Sequence, residues 1–185
     1  DRVKVGVTGN YIVTDAPTLP GGPSGNRAAG VMLQFTWFGR QVDMNALRNN
    51  RDTNWNNSYY SNPYWTAYYN TTSQQRNRLI GDIHLDVKIT DDLNFRFRTS
   101  VDNYNDRRKY TIKYGTNGTP FGSYAEDAYT VNEQNTEGIF TYTKKINDDF
   151  TVDALAGFNV RNHSDANNYQ KAPRLAVPDL YTLTN

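Results

Sequence analysis

Residues 92–104 read DLNFRFRTSVDNY and alternate almost without interruption. Leu93, Phe95, Phe97, Thr99 and Val101 fall on one side of an extended chain, and Asn94, Arg96, Arg98, Ser100 and Asp102 on the other. Successive side chains of a β-strand point to opposite faces, so the segment is predicted to be a strand with one apolar and one strongly polar face. Two environments produce such a strand. In a soluble antiparallel sheet the apolar face packs on a core and the polar face meets water. In a transmembrane barrel the apolar face meets lipid and the polar face lines a wet interior.

Working outward, the same alternation predicts strands over about 2–13, 78–89, 93–104, 136–146 and 150–162. Val3, Val5, Val7, Tyr11 and Val13 oppose Lys4, Thr8 and Asn10 in the first. Ile83, Leu85, Val87 and Ile89 oppose Asp82, His84, Asp86 and Lys88 in the second. Phe150, Val152, Ala154, Ala156, Phe158 and Val160 oppose Thr151, Asp153, Asn159 and Arg161 in the last. Thr90–Asp92 and Asn147–Asp149 are short turns of similar chemistry, whereas the other connections are long loops over about 14–77 and 105–135. Such loops exceed the usual range in compact soluble domains. Short turns on one rim and long loops on the other are the layout of an outer-membrane barrel, and strands of about 11–13 residues exceed the usual soluble length of roughly 5–6 and match the roughly 9–11 that cross a bilayer at a tilt.

In the first loop, Ala28, Val31, Met32, Phe35 and Phe38 fall at helical spacing and predict a short helix, and Asp43 is positioned to cap another turn. From Arg51 to Gln75 the chain reads as irregular, polar and aromatic. The second loop contains GTNGTPFG, which lacks the Lys-Ser/Thr ending of a phosphate loop and is predicted to be a turn-rich tip.

Composition narrows the function classes. Twenty Lys and Arg against 19 Asp and Glu give a net charge of +1, with no overall field toward nucleic acid. The absence of cysteine excludes disulfides and thiolate metal sites. Aromatic residues make up 14%, against a mean hydropathy of -0.81, a mix suited to amphipathic surfaces or to gripping polar ligands. No run approaches the roughly 18 apolar residues of a spanning helix, which leaves barrels open. The chain opens at Asp1 on a strand-like segment, so it is expected to be mature or a fragment, and the two termini favour a fragment. His84 and His163 fall on different elements and no nucleophile motif is present, so no enzyme activity is expected.

Three stretches carry a family resemblance: FGRQVDMNALRNN (38–50), SNPYWTAYYNTT (61–72) and QQRNRLIGDIHLDVKITDDLNFRFRTSVDNYNDRR (74–108). Together they resemble the SusC/RagA family of TonB-dependent outer-membrane transporters. The matching positions are Asn62, Pro63, Tyr64 and Trp65, then Arg76, Arg78 and Gly81, then Arg96, Arg98, Asp102 and Tyr104. The closing APRLAVPDLYTLTN (172–185) is also similar to the family's segment between later strands. The resemblance implies an all-β fold, an antiparallel meander forming part of an about 22-stranded transmembrane β-barrel with long extracellular loops containing short helices. It covers nearly the whole chain but a fraction of a family member, because the plug domain and TonB box are absent from these residues. Five strands cannot close a barrel, so the remainder of the same barrel and plug must complete it.

The function implied is import of glycans or peptides across the outer membrane of a Gram-negative bacterium, with a SusD-like lipoprotein partner and energy from the TonB complex through the missing plug region. No cofactor and no nucleic acid are implied. Trp55, Tyr59, Tyr60, Tyr64, Trp65, Tyr68 and Tyr69 are candidates for substrate or partner contact, or else pack the loop's own core. Asp82, His84, Asp86, Arg96, Arg98 and Asp102 are expected to face the lumen, and Ile83, Leu85, Val87, Phe95, Phe97, Val101, Val152 and Phe158 the lipid. Asp82, His84 and Asp86 stand about 7 Å apart along a strand, too far for a compact metal site. The rival reading is a soluble, secreted β-rich carbohydrate-binding or adhesin domain that uses the aromatic loop as its platform.

Overall fold

The computed structural model describes residues 2–20, 30–36, 39–52 and 61–185. Five long strands, β1 (Val3–Pro20), β2 (Thr71–Lys88), β3 (Leu93–Ile112), β4 (Ser123–Lys145) and β5 (Thr151–Ala172), form one antiparallel meander in sequence order. Three short helices precede β2: α1 (Val31–Thr36), α2 (Met44–Asn49) and α3 (Pro63–Tyr69).

The two tight turns share one mechanism. Thr90 Oγ1 accepts from the backbone N–H of Leu93 at 3.0 Å while Ile89 N–H reaches Leu93 O at 2.9 Å. At the other hairpin Asn147 Oδ1 accepts from Phe150 N–H at 2.9 Å while Ile146 N–H reaches Phe150 O at 2.9 Å. In each, a short side chain mimics a backbone acceptor and closes the turn locally.

The strands are longer than alternation predicts, at 18 to 23 residues. That is on the order of 60–75 Å of extended chain. Every extension lies at the sheet end away from the tight turns: 14–20, 71–77, 105–112, 123–135 and 163–172. The long loops are correspondingly shorter than 14–77 and 105–135. These extensions are largely polar and lack the apolar period of two, although Tyr124 and Ala125 are buried there, and the backbone ladder continues. Asn167 donates to Asp127 at 2.8 Å across β5 and β4, one of the polar pairs that replace apolar ones there.

The helical segment also departs from expectation in one place. Asp43 caps α2 as predicted, its Oδ1 accepting from Asn45 N–H at 2.9 Å and Ala46 N–H at 3.1 Å. Residues 63–69, read as irregular, are helical instead, with Asn62 as N-cap and Pro63 in the first turn. Pro pre-sets the helical φ and has no N–H to leave unsatisfied there, which is the local cause of α3.

The chain divides into two compact units, unit 1 comprising Asp1–Val13, Asn77–Asn105 and Tyr129–Ala166, and unit 2 comprising Thr14–Arg76, Asp106–Ala128 and Asn167–Asn185. Among the described residues every buried apolar side chain, Pro63, Trp65, Tyr124, Ala125, Ala172 and Leu175, belongs to unit 2. Unit 1 buries none.

Candidate functional site

In unit 1 the alternation sorts side chains onto two faces, and contacts between strands confirm the sorting. On the polar face Arg96 Nε meets Asp86 at 2.5 Å, Arg98 Nε meets Asp82 at 3.1 Å and Arg78 Nη2 meets Asp102 at 2.5 Å. Arg161 continues the row to Glu133 at 2.8 Å. His84 Nδ1 lies 3.4 Å from Asp82, and its ring lies over Gly6, where any Cβ would collide with it. The six residues expected on one face, Asp82, His84, Asp86, Arg96, Arg98 and Asp102, thus share it, the arginines and aspartates linked by ion pairs and His84 set beside Asp82.

The opposite face carries Phe95 against Phe140, with ring centroids 4.4 Å apart, and Phe158 lying over Gly138. By strand alternation Ile83, Leu85, Val87, Phe97, Val101 and Val152 lie on this face too. It is widely open: Val7 is 72% exposed, and Val3, Val5, Ile83, Val152, Phe158 and Val160 are exposed as well.

The polar face of unit 1 carries a groove. It measures about 660 Å³ and is lined by residues from all five strands, from Arg2 and Lys4 in β1 and its approach to Leu155 in β5. Adjacent strands lie about 4.8 Å apart, so the groove crosses the width of the sheet.

Unit 2 builds a different assembly. Asn62 is fully buried, donates to Leu47 O at 2.8 Å at the end of α2, and accepts from Tyr64 N–H at 3.0 Å at the start of α3. The Trp65 indole donates to Thr116 Oγ1 at 2.9 Å, and Asn117 N–H donates to Ser61 Oγ at 3.1 Å, which docks α3 on the loop between β3 and β4. Gly115, Gly118 and Gly122 shape that loop with φ of 87°, 81° and 65°, a region open to glycine without penalty. After β5, residues 173–185 pack back: Leu175 is buried with Tyr124, Lys113 Nζ meets Asp179 at 3.0 Å, and Arg174 stacks 3.9 Å over the Phe121 ring.

The aromatic candidates separate accordingly. Trp65 is 8% exposed and fills the loop's own core. Tyr69 packs edge-on to Trp65, bonds Asp52 and has Lys113 Nζ 4.7 Å above its ring. Tyr64 is half-buried. Tyr68 is 56% exposed, with the Arg51 guanidinium 5.0 Å over its ring, and of these four it alone offers an open ring. Trp55, Tyr59 and Tyr60 lie outside the described residues.

Alternation does not point to the most buried charge. Asp106 is 1% exposed and accepts from Arg76 Nε at 2.9 Å, Arg108 Nη2 at 2.9 Å and Gln74 Nε2 at 2.9 Å. Burial pushes its carboxyl up, and the donors from Arg108, Arg76 and Gln74 more than offset this, holding it below the usual carboxylate range. The only sequence trace is Asp106 and Arg108 at i and i+2, on one face of a strand without apolar partners.

No protein-family model matches the chain, and no curated protein is significantly similar to it.

Proposed function

We propose that the chain is part of the wall and outer loops of a SusC-like TonB-dependent transporter in a Gram-negative outer membrane. In this role it imports glycans or peptides with a SusD-like lipoprotein, and the remaining strands, the plug and the TonB complex lie beyond these residues. Unit 1 crosses the lipid, unit 2 forms loops that meet substrate or the lipoprotein, and neither performs catalysis.

The observation that carries this reading is the open apolar face. A sheet folded around its own core would cover its apolar side, whereas unit 1 pairs its charges across the strands on one face and leaves the apolar face unburied. Burying a Val, Leu or Phe side chain is worth about 1.5–3 kcal/mol. Leaving Val3, Val5, Val7, Phe158 and their neighbours in water therefore forfeits a sum comparable to the roughly 5–15 kcal/mol stability of a whole domain. Lipid against that face removes the deficit.

A second reading rests on unit 2. Taken alone, the chain is a largely exposed β-rich module, and unit 2 has its own small core beside the open ring of Tyr68. A soluble, secreted carbohydrate-binding or adhesin domain fits that description without a membrane, provided another protein layer covers the apolar face of unit 1.

Single cysteines at 95 through 98, in the full-length protein in native membranes, separate the two. Reaction of 95 and 97 with a lipid-phase probe and of 96 and 98 with a water-soluble thiol reagent is the expected result. Resistance of 95 and 97 to both reagents places them in a protein core and sinks the transporter reading.

A further inference from the structure

The two units use their cations differently. Unit 1 carries nine Lys and Arg against 12 Asp and Glu, and unit 2 carries 11 against seven, so a chain of net charge +1 divides into one unit at −3 and one at +4. In unit 1 Arg78, Arg96, Arg98 and Arg161 are paired with carboxylates on neighbouring strands. In unit 2 two arginines lie on aromatic rings instead. Arg174 sits 3.9 Å over the Phe121 ring, and Tyr114 packs edge-on to the same ring with centroids 6.0 Å apart. Arg51 lies 5.0 Å over Tyr68 and also bonds the Tyr69 hydroxyl. Neither arginine forms an ion pair among the described residues. The carboxylates of unit 2 serve other donors: Asp52 takes the Tyr69 hydroxyl, Glu126 that of Tyr124 at 2.6 Å, and Asp127 the Asn167 amide at 2.8 Å.

A surface arginine is ordinarily just solvated and free to turn. A guanidinium laid on a ring keeps its charge, and its five N–H groups point outward in its own plane, where a carboxylate or sulfate accepts two of them at once. The support under Arg174 is fixed by the backbone around it. Leu175 N–H donates to Phe121 O at 3.1 Å, Gly115 N–H donates to Pro120 O at 2.8 Å, and the Trp65 indole holds Thr116 in the same loop. Ring and guanidinium are therefore set before a ligand arrives, which lowers the cost of binding one. The rings of Tyr114, Phe121 and Tyr68 stay exposed beside these charges, and an apolar surface next to a fixed cation matches a pyranose ring that bears an acid group. We propose, resting on the reading of unit 2 as loops that meet substrate, that this substrate is an acidic glycan. A carboxylate or sulfate takes the Arg174 fork while a sugar ring lies against Tyr114 and Phe121, and Arg51 with Tyr68 provides a second contact of the same kind.

The test is migration of the full-length protein, in detergent, through gels cast with polygalacturonate, alginate or chondroitin sulfate, with dextran and poly-glutamate as controls. Retardation by at least one acidic glycan, weakened by salt and absent with both controls, is expected, and the order among the three glycans tells whether the fork takes carboxylate or sulfate. Arg174→Gln should weaken that binding about tenfold, the worth of one charge-assisted hydrogen bond. Arg174→Lys should not restore it, because an ammonium cannot make the bidentate contact. Arg51→Gln should weaken it by a smaller factor. Both arginines are exposed, so heat-resistance of the folded protein on gels should be unchanged in all three variants. Equal retardation by dextran would overturn the proposal by making the charge irrelevant, and equal retardation by poly-glutamate would do so by making an acidic peptide sufficient. So would binding of acidic glycans that Arg174→Gln leaves unchanged, or retardation by none of them. None of these outcomes alters the labelling pattern at 95–98, so a failed ligand and a failed wall remain distinguishable.

Discussion

Units 1 and 2 share the same five strands and are held together by opposite means. Unit 1 pairs its charges across the strands on one face and leaves its apolar side chains exposed on the other; unit 2 buries Trp65, Tyr124 and Leu175 and, more unusually, buries Gln34, Asn62, Asn70, Asp106 and Thr116 with them. A β-ladder therefore specifies a strand without specifying its solvent. In unit 1 stability depends on what covers the outside. In unit 2 it depends on a hydrogen-bond network whose members cannot be removed singly.

The sharpest way to break the contrast is at Asp106. Asp106→Ala removes the carboxylate shared by Arg76, Arg108 and Gln74, and removing one partner of a buried pair costs about 3–5 kcal/mol, with the low end expected because Arg76 is one-third exposed. Hydrogen exchange should accelerate in 71–76 and 106–112 and remain slow in 93–104. Equal acceleration in both would show that the two units do not have separate stabilities.

Next in size, on the proposed membrane wall, is Phe97→Arg, expected to cost about 2–4 kcal/mol if the residue lies near the bilayer midplane. Substitution of Arg96 should be tolerated by comparison, since it breaks a largely exposed pair with Asp86 worth at most about 1 kcal/mol. Heat-resistance of the folded full-length protein on gels measures both, and similar losses at 96 and 97 would undo the two-face assignment.

Asn62→Ala tests whether one side chain couples α2 to α3. It removes the N-cap of α3 and the donor to Leu47 O, for a loss of about 1–2 kcal/mol. Protease cleavage within 39–52 should become faster, and an unchanged rate would mean that the two helices are held by other contacts.

The smallest effect is expected at the 173–185 segment. The hydrogen bond from the Lys113 ammonium, helped by the Tyr181 hydroxyl and opposed by slight burial, holds the Asp179 carboxyl below the usual carboxylate range. A depressed folded pKa means that the contribution is present above the unfolded value of about 3.9 and fades as pH falls through the folded one. Proteolysis of 173–185 should thus be constant from neutral pH to about 4 and rise below it. Asp179→Asn should flatten that rise, and an identical pH profile in the variant would exclude Asp179 as its source.

How much of this was legible in the sequence depends on the solvent each segment meets. Both tight turns were readable because Thr90 and Asn147 act on backbone groups two and three residues away, and Asp43 caps α2 within the same range. The paired faces of 82–102 were readable because alternation is a local property of extended chain. The extensions at 71–77, 105–112 and 123–135 were not, because the side chains buried there include Thr72, Asp106, Ser123 and Asp127, polar residues that leave no apolar period. The Asn-Pro start of α3 was present at 62–63 but obscured by the polar, aromatic residues around it.

By itself the sequence determined which residues alternate, where the hairpins close and that one face of each strand in unit 1 is charged, since period, turn chemistry and capping act over a few residues. Only the tertiary structure decided that the apolar face of unit 1 stays open, that Asp106 collects donors from 74 and 76 as well as from 108, and that the Trp65 indole donates to Thr116. The contacts of Asp106 with 74 and 76 and of Trp65 with Thr116 join residues 30 to 51 apart in sequence, and burial and charge matching have no signature until those partners are in place.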